Sequence, residues 1–343
     1  MTIRCKTCVM LNTRPDTPFV DGECSACVSY RKRATVDWAA REAALLQILD
    51  RHGGKCIVPS SGGKDSHWQV LKLLELGADV TVVTARTCHL TAVGRANIDN
   101  LARYARTIEV VPNMTTRAKL NRLGLELVGD ISWPEHCAIF TTPFKVAADI
   151  KVPLLFYGEC PQEAYGGPPG ADEAKQMTRR WVSEFGGFLG LRPSDFVGQL
   201  GITAKDMADY EPPANVDGIE AYFLGQFYEW DSHRNAEVAK WNGMQQRLPT
   251  AANWWIHENL DNFQTGIHDM FMQLKYGFGR GCQQISVDVR AGKVSRDVAM
   301  HWVEANDRWQ GQYMGYTLPQ ILDHIGMDKE AFFECQARFG SAV

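Results

Sequence analysis

Six consecutive residues, Ser61-Gly62-Gly63-Lys64-Asp65-Ser66, carry the groups that grip an oligophosphate. Two glycines let backbone N–H groups turn inward as an anion nest at the start of a helix. Lys64 adds a positive charge, and the Ser61 and Ser66 hydroxyls add donors. Asp65 is the anomaly, an anion placed where an anion should bind. Two arrangements resolve it: its carboxylate caps the helix, where the dipole favours it, or it holds a Mg2+ that bridges phosphate oxygens. The stretch fails the Walker A pattern, because Val58 replaces its first glycine and Asp65 its magnesium-binding Ser or Thr.

The second constellation is Cys5-x2-Cys8, fifteen further residues, then Cys24-x2-Cys27. Two residues inside each pair let both sulfurs reach one ion from a tight turn, and the longer loop completes a tetrahedron. Four thiolates leave no open coordination position, so the expected zinc is structural and supplies the folding energy of a segment too short for its own core. The other six cysteines (Cys56, Cys88, Cys137, Cys160, Cys282 and Cys335) stand singly among apolar neighbours and read as small hydrophobes. Arg31-Lys32-Arg33 reads as a solvated boundary.

These residues need elements to hold them. Residues 1–34 form the expected zinc-ribbon-like segment, and Val36 to Leu49 has helical spacing closed by Gly53-Gly54. CIVPS (56–60) is a strand, 66–76 a helix, and DVTVVTA (79–85) the next strand. A helix around 95–106, a strand at 107–111, a helix near 114–127 and a strand at 152–158 continue the alternation. Such alternation implies a mostly parallel sheet with helices on both faces. Ligands bind such sheets at the carboxyl ends of the strands, which directs attention to 61–66, 84–88, 141–145 and 158–167. Beyond about residue 170 the strand signal fades into a mainly helical region, with ISVDVR (285–290) the one short alternating stretch. The expected division is 1–34, 35–170 and 171–343.

Composition bounds the partners. The 343 residues carry a formal net charge of −4 with 45% hydrophobic and 22% charged residues, an ordinary globular balance with no basic field for nucleic acid. No apolar run reaches about 18 residues, so no membrane span is expected. MTIRCKTCVM lacks the pattern of a signal peptide, and the expected location is the cytoplasm.

In its strand–turn–helix context, SGGKDS is similar to the PP-loop (SGGxDS) of the ATP pyrophosphatases. That resemblance implies that the turn grips the β- and γ-phosphates while ATP is cleaved between α and β. It also implies adenine near the end of the next strand, around Thr84-Ala85-Arg86. The whole chain resembles the N-acetyl sugar amidotransferases of bacterial surface-polysaccharide and pseudaminic-acid pathways. The likeness runs in order through RCKTCVMLNTRPDTPFVDGECSAC (4–27), VDWAAREAALLQIL and SGGKDS. It continues through KLNRLGLELVGD (119–130), FTTPFKVA (140–147), YGECPQEAYGG (157–167) and KYGFGRGCQQISVDVRAGKVSRDVA (275–299). It implies that ATP activates a sugar acetamido oxygen and that ammonia displaces AMP to leave an acetamidino group. Ammonia comes, on the same resemblance, from a separate glutaminase with a synthase-like subunit. The chain has no cysteine directly after Met1 and no Cys nucleophile elbow of its own. One departure is Cys160, where relatives are expected to have Asn.

Further candidates follow from position. Gly158 and Glu159 end the last clear strand, so Glu159 is placed to hold Mg2+ or orient ammonia. Tyr165-Gly166-Gly167 allows close backbone approach or is a simple turn. KYGFGRG (275–281) reads as a flexible loop that brings Arg280 onto a phosphate or a sugar-nucleotide diphosphate. His136 and His268 are candidate bases or satisfied structural histidines, and Trp254-Trp255 is core or interface. Two rivals stay open: a PP-loop tRNA-modifying thiolase, disfavoured by the acidic charge and by C-x-x-C pairs confined to the ribbon, and a nucleotide-sensing module without turnover.

Overall fold

The computed structural model describes residues 2–15, 17–159, 166, 177–178, 181–182, 186–213 and 218–340. Cys160, Tyr165 and Gly167 lie outside the described residues, as does most of the stretch 171–185 at the start of the region expected to be mainly helical.

After the N-terminal hairpin β1 (Phe19–Val20) and β2 (Glu23–Cys24) and the helix α1 (Ser25–Lys32), a parallel sheet of five strands organises the middle of the chain, in the order β5 (Arg106–Val110), β4 (Asp79–Ala85), β3 (Lys55–Pro59), β6 (Leu154–Tyr157) and β7 (Glu220–Phe223). The chain runs outward from β3 through β4 to β5, then returns to the other side of β3. That reversal opens a crevice beyond the carboxyl ends of β3 and β6. Both faces are covered, as the apolar strands require. Ile57, Val83, Leu155 and Tyr157 pack on one side with Leu120, Trp133 and Phe144 from α5 (Met114–Val128) and α6 (Trp133–Ile150). Cys56, Val58, Val82 and Phe156 pack on the other with Leu45, Leu49, Trp68 and Leu73 from α2 (Trp38–Arg51) and α3 (Lys64–Glu75).

Local chemistry sets the helix ends. Asp37 caps α2 by accepting from the Ala40 N–H, and Asn113 caps α5 by accepting from Thr115 and Thr116. The helix expected at 95–106 is α4 (Ala92–Leu101), because the Thr91 hydroxyl accepts the Gly94 N–H and fixes an earlier start. Residues 133–150, including the watched stretch 141–145, are one helix despite Pro143.

Three expectations are corrected. First, strand signal does not end near 170, since Glu220–Phe223 adds an edge strand beside β6. Second, ISVDVR is the carboxyl half of the helix Arg280–Arg290. Cys282, Ile285 and Val289 share one helical face and join the cluster around the four N-terminal cysteines. Its N-terminus is held by Asp307, whose carboxylate accepts the Gly279 and Cys282 N–H groups at 2.7 and 3.2 Å. Third, KYGFGRG is not a long flexible loop. Gly277 ends the helix Thr265–Tyr276 in the left-handed conformation, and Gly279 precedes the next helix. Gly281 lies where a Cβ would come within 2.4 Å of the Trp302 ring.

The N-terminal segment is stapled to the C-terminal helices. Cys5, Cys8, Cys24 and Cys27 share a core with Met272, Phe278, Cys282, Ile285 and Val303, and the Arg296 guanidinium donates to the Cys5 and Cys8 carbonyls. No helix among the described residues is long and apolar enough to cross a membrane.

Candidate active site

The glycine turn follows β3 as expected. Gly62 has φ +81°, and a Cβ there would come within 3.0 Å of the Ile98 backbone, so the turn requires glycine. Its N–H donates to the Ser60 hydroxyl at 3.0 Å, which removes one of the two donors expected in the nest. Gly63 precedes α3 in extended backbone with no side-chain cap, leaving first-turn N–H groups for a ligand or solvent. Asp65 therefore does not cap the helix. It accepts Lys64 Nζ at 2.6 Å and Asn235 Nδ2 at 3.1 Å.

Lys64 is the buried centre of a charge cluster. Its ammonium, 3% exposed, contacts Asp65 and also Glu258 at 2.7 Å. Burial pulls Lys64 down, but Asp65, Glu258 and Glu159 together hold it above the ordinary lysine range. Burial pushes the Glu258 carboxyl up, and Lys64 overrides it to leave the group at about 2. Gln284 donates to the other Glu258 oxygen at 2.9 Å.

Beyond the strand ends lies a cavity of about 410 Å³. Ser61, Asp65 and Ser66 line it from the glycine turn, Gly158 and Glu159 from the end of β6, and Arg280 from the C-terminal region. Lys64 sits behind Asp65, beneath this lining. Thr84 is buried in β4 and the wall is formed by its neighbours Val83 and Ala85. Arg280 is the first residue of its helix, and its guanidinium pairs with Asp269 at 3.1 Å. Trp255 is buried in the core and Trp254 packs partly buried against the cysteine cluster, and both indole N–H groups donate to the buried Asp288 carboxylate, at 2.7 and 2.9 Å.

Gly158 touches the cavity because nothing larger fits. A Cβ there would lie 2.7 Å from Gln69 Nε2 and 3.4 Å from the Trp230 ring. Gly158→Ala is expected to cost about 1–3 kcal/mol through overpacking, read as a lower urea midpoint at unchanged slope.

Two histidines named as candidate bases come together. His136 from α6 and His268 from Thr265–Tyr276 place Nδ1 at 3.1 and 2.8 Å from the two oxygens of Asp130, and both line the cavity. Burial pushes Asp130 up, yet the two imidazoles hold it well below the carboxylate range. Sequence reasoning missed Asp130, Glu258, Asp261 and Asn235. Asp261 lines the cavity, and burial raises its carboxyl to about 6. Nothing in their sequence spacing marks them, because the partners of Glu258 and Asn235 lie 194 and 170 residues away.

The four cysteine sulfurs lie 3.5–3.8 Å apart in the contacting pairs, all at most 1% exposed. A tetrahedral ion with Zn–S near 2.3 Å requires sulfurs about 3.8 Å apart. The residues fit a closed four-thiolate metal site.

No curated protein matches the chain. Residues 256–342 match the family model described as "LPS biosynthesis protein WbpG-like, C-terminal domain". That stretch contributes Glu258, Asp261, His268, Arg280 and Gln284 to the site. The C-terminal quarter of the chain is thus similar to a lipopolysaccharide-biosynthesis domain, which supports a biosynthetic enzyme of polysaccharide assembly.

Proposed function

We propose that the protein is an ATP-dependent amidotransferase with a PP-loop fold. On this reading it converts an acetamido group of a nucleotide-linked sugar into an acetamidino group. One observation carries the reading: at the switch point of the sheet, one ammonium is set among three carboxylates. Asp65 and Glu258 touch Lys64, and Glu159 acts on it electrostatically. Such an excess of negative charge repels a bare polyphosphate and attracts a divalent cation that phosphate oxygens can share. The C-terminal match to a polysaccharide-biosynthesis domain supports the sugar substrate.

An amide is a poor electrophile, so its oxygen must first become a leaving group. The acetamido oxygen attacks the α-phosphorus of ATP, and pyrophosphate departs. Ammonia then adds to the amidyl carbon, and AMP leaves with that oxygen while a proton passes to a base. Asp65 and Glu159 would hold Mg2+, whose positive charge would be supplied against the departing pyrophosphate. Ser61, Gly63 and Ser66 supply donors to the phosphates, and Lys64 holds Asp65 in place. The Asp261 carboxyl, poised at about 6, is matched to proton transfer near neutral pH. Arg280 faces the sugar-nucleotide diphosphate, and ammonia is delivered by a separate glutaminase with a synthase-like subunit.

The test is incubation with ATP, Mg2+, an ammonium salt and a panel of UDP- and CMP-linked N-acetylamino sugars. AMP, pyrophosphate and a product in which NH replaces one sugar oxygen by mass spectrometry are expected. Asp65→Asn is expected to slow pyrophosphate release about 100-fold or more. Turnover on tRNA with no sugar product would select the rival thiolase reading. Absence of pyrophosphate with every substrate would leave only a nucleotide-sensing module.

A further inference from the structure

We infer that Asp130, His136 and His268 form a second metal site, for a divalent cation of the zinc class, open toward the cavity. The argument starts from charge. Asp130 is buried, with its side chain 4% exposed. Two neighbouring buried carboxylates have a guanidinium each: Glu135 pairs with Arg117 at 3.1 Å, and Asp269 with Arg280 at 3.1 Å. Asp130 has no such partner among the described residues, only two imidazoles and the Ser132 N–H at 2.9 Å. Lys275 feels its field, but the Lys275 ammonium donates to the Val128 carbonyl at 3.2 Å. A buried carboxylate with neither a guanidinium nor an ammonium is costly unless its imidazole neighbours are protonated, and a metal ion held with neutral imidazoles is the other way proteins meet that cost.

Geometry points the same way. One ligand atom from each of the three residues lies within 4.8 Å of the others. The two imidazoles approach different oxygens of one carboxylate, and their rings stand at 77° with centroids 5.4 Å apart. Two histidines and one carboxylate with a free position are the pattern of zinc sites that keep a water or take a substrate oxygen. Both imidazoles line the cavity beside Thr265, Asn262 and Arg280, so the free position would open there. The supports are rigid. Asp130 follows the left-handed Gly129 that ends α5, His136 lies in the first turns of α6, and Gly187 packs against His136 where a Cβ would lie 2.9 Å from it. This site differs from the four-cysteine site in ligand chemistry and in having an open face, and it stands whether or not the proposed reaction is right.

The test loads the purified full-length protein with one equivalent of zinc, which the four-thiolate site takes first, then titrates cobalt. The wild type is expected to take up about one further ion, with weak visible bands and no thiolate charge-transfer absorption, as suits nitrogen and oxygen ligands. The His136→Gln/His268→Gln variant is expected to lose that uptake, and Asp130→Asn to weaken it about tenfold or more. Retention of zinc on the cysteines, measured by elemental analysis, reports that each variant is folded. Should the double variant fail to hold zinc, His268→Gln alone replaces it. A wild type that binds no cobalt beyond the cysteine site overturns the inference and leaves an aspartate hydrogen-bonded by two histidines. So does uptake that the substitutions leave unchanged.

Discussion

Lys64→Met is expected to abolish pyrophosphate release and to destabilise the fold by about 3–5 kcal/mol, the usual penalty for stripping one partner from a buried ion pair. Both effects have one cause. Lys64 is 3% exposed and bridges Asp65 and Glu258, so its loss strands a Glu258 side chain that is 12% exposed. The pH dependence separates this from generic damage. With Lys64 present, Glu258 sits at about 2 against 4.5 for the free group. Its folded value is depressed, so its contribution is fully present above about 4.5 and is lost as the pH falls towards 2. Without Lys64, burial pushes the carboxyl up instead, and the variant gains relative stability as Glu258 protonates. Urea unfolding from pH 7 to pH 3.5 is therefore expected to show a gap between wild type and variant that narrows on acidification. A gap constant with pH would exclude the Lys64–Glu258 pair as its source. Lys64→Met/Glu258→Gln is expected to recover most of the stability and none of the activity.

Cys24→Ser is expected to remove the metal from the N-terminal site and unfold the first 34 residues. Structural zinc in small modules supplies about 10–16 kcal/mol of apparent binding energy, and this segment has little else to fold it. The consequence extends further, because the cysteine cluster shares its core with Met272, Phe278 and Ile285. Loss of the metal therefore strips apolar cover from the helices Thr265–Tyr276 and Arg280–Arg290. Elemental analysis is expected to show one equivalent fewer, and limited trypsin digestion to cut at Arg31, Lys32 or Arg33. A Cys24→Ser protein that resists trypsin like the wild type would show that packing alone holds the segment.

Local signals in the chain were strong where one element satisfies itself. The strand 79–85 and the glycine turn after β3 follow from apolar runs and turn chemistry confined to a few residues. The cysteine quartet is likewise legible, since spacing alone brings four sulfurs to one point. ISVDVR misled because a six-residue alternation cannot tell a strand from a helix whose N-terminus is capped from afar. The Asp307 carboxylate that holds that helix start is 25 residues from Cys282 in sequence. Edge strand Glu220–Phe223 was missed for a similar reason, since four residues of strand are specified by pairing with β6 rather than by their own pattern.

The order of the sheet, and with it the crevice, is a tertiary fact. Sequence alternation predicts a parallel sheet, but only packing decides that β6 returns beside β3 and brings Gly158 and Glu159 to the glycine turn. The oddity of Asp65 was visible from the sequence as an anion in an anion site. Its answer was not, because Glu258 and Asn235 join Lys64 and Asp65 only after 194 and 170 residues of chain have folded back. Asp130 is the extreme case. Nothing local marks it, and its meaning arises from two histidines on separate helices that converge on its two oxygens. Residue type and spacing therefore determined the glycine turn after β3 and the cluster of four thiols. Long-range packing determined which charges face one another, because Coulomb interactions depend on distance in space and not along the chain.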